Sequence, residues 1–314
     1  MKHLIPLIII GLLAACTGSH TSDAPEARVV PLYSYLATNS VPDSDSIELA
    51  AFMRTVSEQP LSPELVEAWA SSQVVTVFTP DVDSVYTDSA YMGRMMGKIL
   101  TNAKAAGLTL PDRRYATIVY GRPESILFVD SVMLIALNHY LGADYPGYSH
   151  WPKYMRQVKT PAALPYDIAE ALVATSYPYS LEGEEATALS RMIYEGALTI
   201  AKMKLSGNDP ATALGYSPET MDILDSQEAD IWRRMVQAQL LYDTSEATID
   251  RLVAPAPEAG IVGAGTPGRV GRYIGYRIVS EYLGKYPDTT LPQLLDPDFY
   301  RGSTVLTKSA YMAQ

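Results

Sequence analysis

Two glutamates on successive helical stretches are the residues closest to a known chemistry. Glu170 lies in a helical pattern over residues 165–175, and Glu195 in one over residues 186–205, with a short acidic turn between them. A helical zinc site needs histidines at i and i+4 around a glutamate general base, and a third protein ligand from elsewhere. Glu170 stands where the base would be. Glu195, within Tyr194-Glu195-Gly196-Ala197, stands where a ligand from the next helix would be. Ala169 and Val173 occupy the two histidine positions, and neither side chain has a lone pair to donate. One carboxylate without two imidazoles would not hold zinc tightly in water.

The outline therefore resembles a gluzincin-type zinc peptidase that has lost its metal. The chain has four histidines: His3, His20, His139 and His150. His139 and His150 flank a Tyr-Pro loop at no metal-site spacing, and we read both as surface residues. Glu195 also has a plainer reading, as a surface ion-pair member four residues after Arg191. No Gly-x-Ser-x-Gly nucleophile motif occurs. Gly263-Ala264-Gly265-Thr266-Pro267-Gly268 lacks the lysine and spacing of a phosphate loop and reads as a flexible lead-in to a helix.

The elements that must position these residues are mostly helices. Ser46 is placed to cap a helix to residue 55, and Ser62 to cap one that starts with Pro63 and buries Leu65, Val66 and Trp69. Residues 73–78 read as a short strand or an apolar connection, and residues 84–106 as one long helix ended by Gly107. Residues 29–36 read as a strand or an ordered arm. The runs 115–120 and 125–136 read as neighbouring strands of a small sheet. Helices are expected over 219–242 and 268–286, with a short one over 291–295. Gly271 and Gly275, one turn apart, would let another element approach the second of these closely. No repeat of 20–50 residues is present, which argues against a solenoid. The class is α+β, mostly helical.

A net charge of −11 and a pI near 4.8 argue against a general nucleic-acid binder. The 22 tyrosines against 4 phenylalanines suit wet, half-buried surfaces. Cys16 is the single cysteine, so no internal disulfide can form. It follows Met1-Lys2-His3, an apolar run over 4–13, and Leu13-Ala14-Ala15. That is the form of a bacterial lipobox, where the cysteine thiol is acylated and becomes the new N-terminus. We therefore expect a lipoprotein signal peptide over 1–15, a flexible tether over 16–28, and one domain over 29–314.

Several ordered pieces resemble the gliding-motility lipoproteins of the Bacteroidetes, GldB type. They are the lipobox ending at Cys16, the loop Leu141-Gly142-Ala143-Asp144-Tyr145-Pro146-Gly147-Tyr148, and the Trp232-containing stretch ending Leu240-Leu241-Tyr242. The longest is Pro267-Gly268-Arg269-Val270-Gly271-Arg272-Tyr273-Ile274-Gly275-Tyr276-Arg277-Ile278-Val279, and Lys308-Ser309-Ala310-Tyr311 closes the chain. The resemblance covers roughly residues 110–314. It implies a zincin-like fold with a small sheet and a lost metal site, on a lipoprotein of the outer membrane. In gliding species it also implies a role in surface motility that depends on type IX secretion.

The expectation is a membrane-anchored binding or assembly component of the envelope, not an enzyme, with no metal and no cofactor. Its remnant cleft would be built from Glu170, Glu195, Arg269 and Arg272. Its partners would be the lipid anchor in the membrane and an envelope protein, peptide or glycan segment. The alternative is an active peptidase or other hydrolase with atypical ligands. A third class is a carrier of a soluble ligand in a tyrosine-rich cleft. Without a cation between them, Glu170 and Glu195 would repel, and the pKa of at least one would rise. We expect relief by pairing with arginines such as Arg269 or Arg272, or by a wet groove, rather than by helices that turn the two apart.

Overall fold

The computed structural model describes residues 24–312. Cys16, the expected signal peptide and most of the expected tether lie outside the described residues.

A four-stranded mixed sheet divides the N-terminal helices from the C-terminal ones. Its strands are β1 (Val29–Val30), β2 (Arg114–Ile118), β3 (Ile126–Val129) and β4 (Val132–Ala136), in the order β1-β2-β4-β3. β1 and β4 run parallel to β2, and β3 runs antiparallel to β4. β4 is buried at every position, as an apolar strand covered on both faces must be. Met133 and Ile135 face the large core, while Val132, Leu134 and Ala136 face a smaller one. Helices α1 (Leu32–Ala37) and α2 (Ser46–Val56) supply the other side of that smaller core through Leu32, Leu36, Phe52 and Met53. The run 125–136, expected as one strand, is a hairpin. It reverses at Asp130-Ser131, with Asp130 at φ 52°, a left-handed position that aspartate tolerates.

Three other elements differ from expectation. Residues 73–78 are not a strand. Ser72 accepts a hydrogen bond from the Val75 amide and caps α4 (Gln73–Val85), so burial of Val75 and Val82 overrides β-branched propensity. The long helix expected over 84–106 is two helices. α4 stops at Val85, and α5 (Tyr91–Ala105) starts after an Asp88 turn whose carboxylate accepts from the Ala90 amide. Ser46 begins α2 but its side chain does not cap it. α3 (Pro63–Ala70) is capped by Ser62 as expected, although Leu65, Val66 and Trp69 are only half-buried. Residues 25–28 lie on α5: the Ala27 amide donates to Gly93 O, and Arg28 pairs with Asp45 and Glu48.

After β4, the short α6 (Lys153–Arg156) leads to α7 (Leu164–Ser176) and α8 (Ala188–Ser206). Then come α9 (Pro210–Leu214), α10 (Pro218–Gln237), α11 (Glu246–Val253), α12 (Val270–Lys285), α13 (Leu291–Leu294), α14 (Pro297–Tyr300) and α15 (Thr304–Ser309). α8 is the centre of the large core, buried on all sides and packed between α7 and α12. The approach of α8 to α12 requires glycine on both. A Cβ at Gly275 would lie 1.7 Å from Met192 O, and one at Gly196 would lie 2.2 Å from Gly275 O. The close approach expected from Gly271 and Gly275 is therefore made by α8.

Candidate functional site

α7, α8 and α12 bring Glu170, Glu195 and Arg272 together. Arg272 Nη1 donates to Glu170 Oε1 at 2.9 Å, and its Nε lies 3.1 Å from Glu195 Oε2. Lys202 Nζ donates to the other Glu170 oxygen. Arg191 Nε donates to Glu195 Oε1 at 2.9 Å. Glu195 is thus paired with Arg191 as its spacing suggested, but it is no surface residue, because its side chain is 2% exposed. α8 is packed closely enough there that the glutamate of the i,i+4 pair is buried while Arg191 stays partly exposed.

The two glutamates share a cation, and that cation belongs to the chain. Burial by itself would raise the Glu170 pKa. Arg272 and Lys202 outweigh burial and hold the carboxyl well below the usual carboxylate range. The rise expected for a repelling pair therefore does not occur at Glu170. Asp167, one turn earlier on α7, does move up. Burial dominates there, and its contact is a neutral hydroxyl, Tyr140 Oη, which donates at 2.9 Å.

Glu170 faces a cavity of about 400 Å³. Its other charged lining residues are Asp167, Lys159, Lys202, Arg269 and Arg272. Ala171 and Ala174 line it from α7, whereas Ala169 and Val173 are fully buried in the core on another side of that helix. The positions that would carry zinc-binding imidazoles therefore point away from the cavity. Among the described residues no group of three or more His, Cys, Asp or Glu is placed to hold a metal ion.

β4 delivers the opposite wall. Asn138 holds the Tyr120 backbone with two hydrogen bonds of 2.9 Å, which fixes the turn carrying His139 and Tyr140. His139, expected at the surface, is buried; His150 is exposed. Burial and the nearby Lys159 lower the His139 pKa to about 4. Ser125 Oγ lies 3.1 Å from His139 Nδ1 and accepts from Lys159 Nζ. Burial, and then Arg269, also lower the Lys159 pKa, against the opposing pull of Asp167.

The residues of this site fall into two sets. Glu170, Glu195, Arg269 and Arg272 are the four that the sequence singles out. Arg272 joins the two glutamates, while Arg269 pairs with neither. Asp167, Lys202, Lys159, Ser125 and Tyr140 are additional. Two of these carry a signal in their spacing. Asp167 is one turn from Glu170, and Lys202 is two turns from Glu195, so each shares a helix face with a candidate. Lys159, Ser125 and Tyr140 come from loops and a strand end, where no periodicity marks them.

α12 carries a second ionic cluster on another face. Glu228 of α10 is 1% exposed. It accepts from Tyr311 Oη at 2.6 Å and Tyr273 Oη at 3.2 Å, and Arg277 Nη2 lies 3.1 Å away.

Fold and site together define an α+β, mostly helical protein whose three central helices enclose a ring of carboxylates and cations beside a cavity. The chain belongs to the family described as gliding motility protein GldB, whose model matches residues 40–313. No curated protein and no solved structure matched the chain. The family description ties the chain to gliding motility, and its lipoprotein label fits a membrane-anchored lipoprotein. No helix among the described residues is long and apolar enough to cross a membrane. The segment 267–279 that carried the resemblance has a physical reading as well. It holds the α12 glycine of the α8–α12 contact, Gly275, and two of the arginines that pair with buried glutamates. Tyr311 of the closing segment seals Glu228.

Proposed function

We propose that the protein is an outer-membrane lipoprotein, acylated at Cys16, whose domain is a zincin-like frame that binds and does not cut. It would hold a peptide or glycan segment of an envelope partner during assembly of the motility or secretion apparatus. The observation that carries this reading is Arg272, whose guanidinium reaches both Glu170 and Glu195. A cation shared by both carboxylates leaves neither free as a ligand or a general base. The enclosed positions of Ala169 and Val173 support the same conclusion.

The test is envelope crosslinking of cells fed a fatty-acid analogue. Wild type should carry the label and crosslink one partner. Cys16→Ala should carry no label. A triple variant, Glu170→Gln, Glu195→Gln and Arg272→Met, should stay folded and lose the partner. Equal labelling of wild type and Cys16→Ala would remove the anchor. An unchanged crosslinking pattern in the triple variant would remove the binding role of the site.

A hydrolase is the second reading, favoured by the placement of Ser125 between Lys159 and His139 on the cavity wall. There a neutral Lys159 would take the Ser125 proton as the oxygen attacks a carbonyl. Labelling by a fluorophosphonate in wild type, and none in Ser125→Ala, would establish it.

A further inference from the structure

We infer that Arg269 is the receptor for a carboxylate borne by an extended peptide, whose body lies in the groove adjoining the ionic cavity. This rests on the binding reading given above and names its ligand.

The first observation is charge. Every carboxylate of the cluster is already served: Glu170 by Arg272 and Lys202, Glu195 by Arg191 and Arg272, and Asp167 by Tyr140. Lys159 donates to Ser125. The cavity lining carries Lys159, Lys202, Arg269 and Arg272 against Asp167 and Glu170, so positive charge is in surplus there. Its place is Arg269, which makes no hydrogen bond or ion pair among the described residues. Burial, and then Arg272, lower its pKa against the opposing pull of Glu170, Tyr216 and Asp167. A half-buried guanidinium without a hydrogen-bonded carboxylate gains from a ligand that supplies one.

The second observation is backbone. Arg269 has φ 62° and ψ 14°, a left-handed conformation that costs a non-glycine residue about 1 kcal/mol. The residue before it is packed tightly. A Cβ at Gly268 would lie 2.0 Å from Ala256 O. Beneath the guanidinium is Gly215, at φ 76°, where a Cβ would lie 2.4 Å from Arg269 Nη1. A strained residue is thus held so that its unpaired guanidinium lies across a position without a side chain. Strain kept in this way belongs to sites that present a group.

The third observation is shape. Arg269 and Gly215 line both the ionic cavity and a groove of about 640 Å³. The groove is walled by Pro152, Tyr154, Tyr216, Ile223, Pro255 and Pro257. A ligand that pairs with Arg269 can therefore lay an apolar or main-chain body along these residues. A planar guanidinium matches a carboxylate with two parallel hydrogen bonds. A phosphate dianion would bring a second negative charge toward Glu170 and Asp167.

The test uses the full domain and fluorescent random-sequence octapeptide pools in three forms: free acid, C-terminal amide, and amide with one internal aspartate. Inorganic phosphate serves as competitor. Wild type should bind the free acid or the aspartate pool at least tenfold more tightly than the plain amide, and which of the two binds tells whether a terminus or a side chain supplies the carboxylate. Arg269→Gln should lose that preference and melt no lower than wild type. Arg269→Lys should retain part of it. Equal binding of all three pools, displacement of the acid peptide by millimolar phosphate, an unaltered preference in Arg269→Gln, or a fall of several degrees in its melting temperature would each overturn the inference. Acid-dependent binding followed by cleavage would instead refute the non-enzymatic reading and leave the carboxylate receptor standing.

Discussion

α12 presents two arginines to buried glutamates, and the two clusters end differently. At Arg277, Glu228 is ringed by two tyrosine hydroxyls and a guanidinium. At Arg272, two glutamates are neutralised, yet the assembly opens on a cavity where Arg269 has no ion-pair partner among the described residues. The five-residue separation turns the two side chains roughly 140° apart on the helix. One face closes the C-terminal segment onto the domain, and the other faces a place where something can bind. Buried charge alone does not mark a site. An uncommitted donor beside open volume distinguishes Arg269 from Arg277.

The largest expected difference follows from what each arginine leaves behind. Arg272→Met takes one of two cations from each of Glu195 and Glu170, leaving Arg191 and Lys202 in place, and breaking buried ion pairs of this kind costs about 3–5 kcal/mol. Arg277→Met leaves Glu228 two tyrosine donors, so about 1–2 kcal/mol is expected there. Urea unfolding of both variants tests the ranking. A larger loss at Arg277 would break the comparison.

A smaller effect separates the two faces by pH. His139 stands behind Ser125 of the cavity wall, with a folded pKa of about 4, below the ordinary 6.5. The unfolded chain therefore takes up its proton first as pH falls. Stability from this residue is full above about pH 6.5, declines as pH drops toward 4, and levels off below. The total is on the order of 3 kcal/mol. His139→Gln should flatten that part of the stability profile, while Tyr311→Phe at the closed cluster should lower stability by a similar amount at every pH in the window. An unchanged slope in His139→Gln would show that the histidine is not enclosed as described.

Much of this organisation is legible in the sequence. Helical stretches are readable at α7, α8 and α12, and Gly271 and Gly275 announce a close neighbour. The family resemblance, carried by residues 267–279 and 309–311, is borne out by the family match. The burial of Glu195 is not legible, because an Arg191–Glu195 pair reads the same on a solvated helix as on an enclosed one. Residues 73–78 mislead for the opposite reason: β-branched residues suit a strand locally, and only a serine cap and a waiting core make them a helix. Lys159 and Ser125 reach the cavity through loop and sheet geometry, which leaves no period to detect.

The central claim is that the chain's own Arg272 and Lys202, with no metal ion, hold Glu170 and Glu195. Elemental analysis of the purified domain, paired with melting in the presence and absence of a chelator, tests it directly. We predict no stoichiometric zinc and an unchanged melting temperature. A bound structural zinc contributes on the order of 10 kcal/mol to folding, so its removal would be conspicuous. One equivalent of zinc, lost to the chelator together with stability, would contradict the account and return the pair of glutamates to a metal.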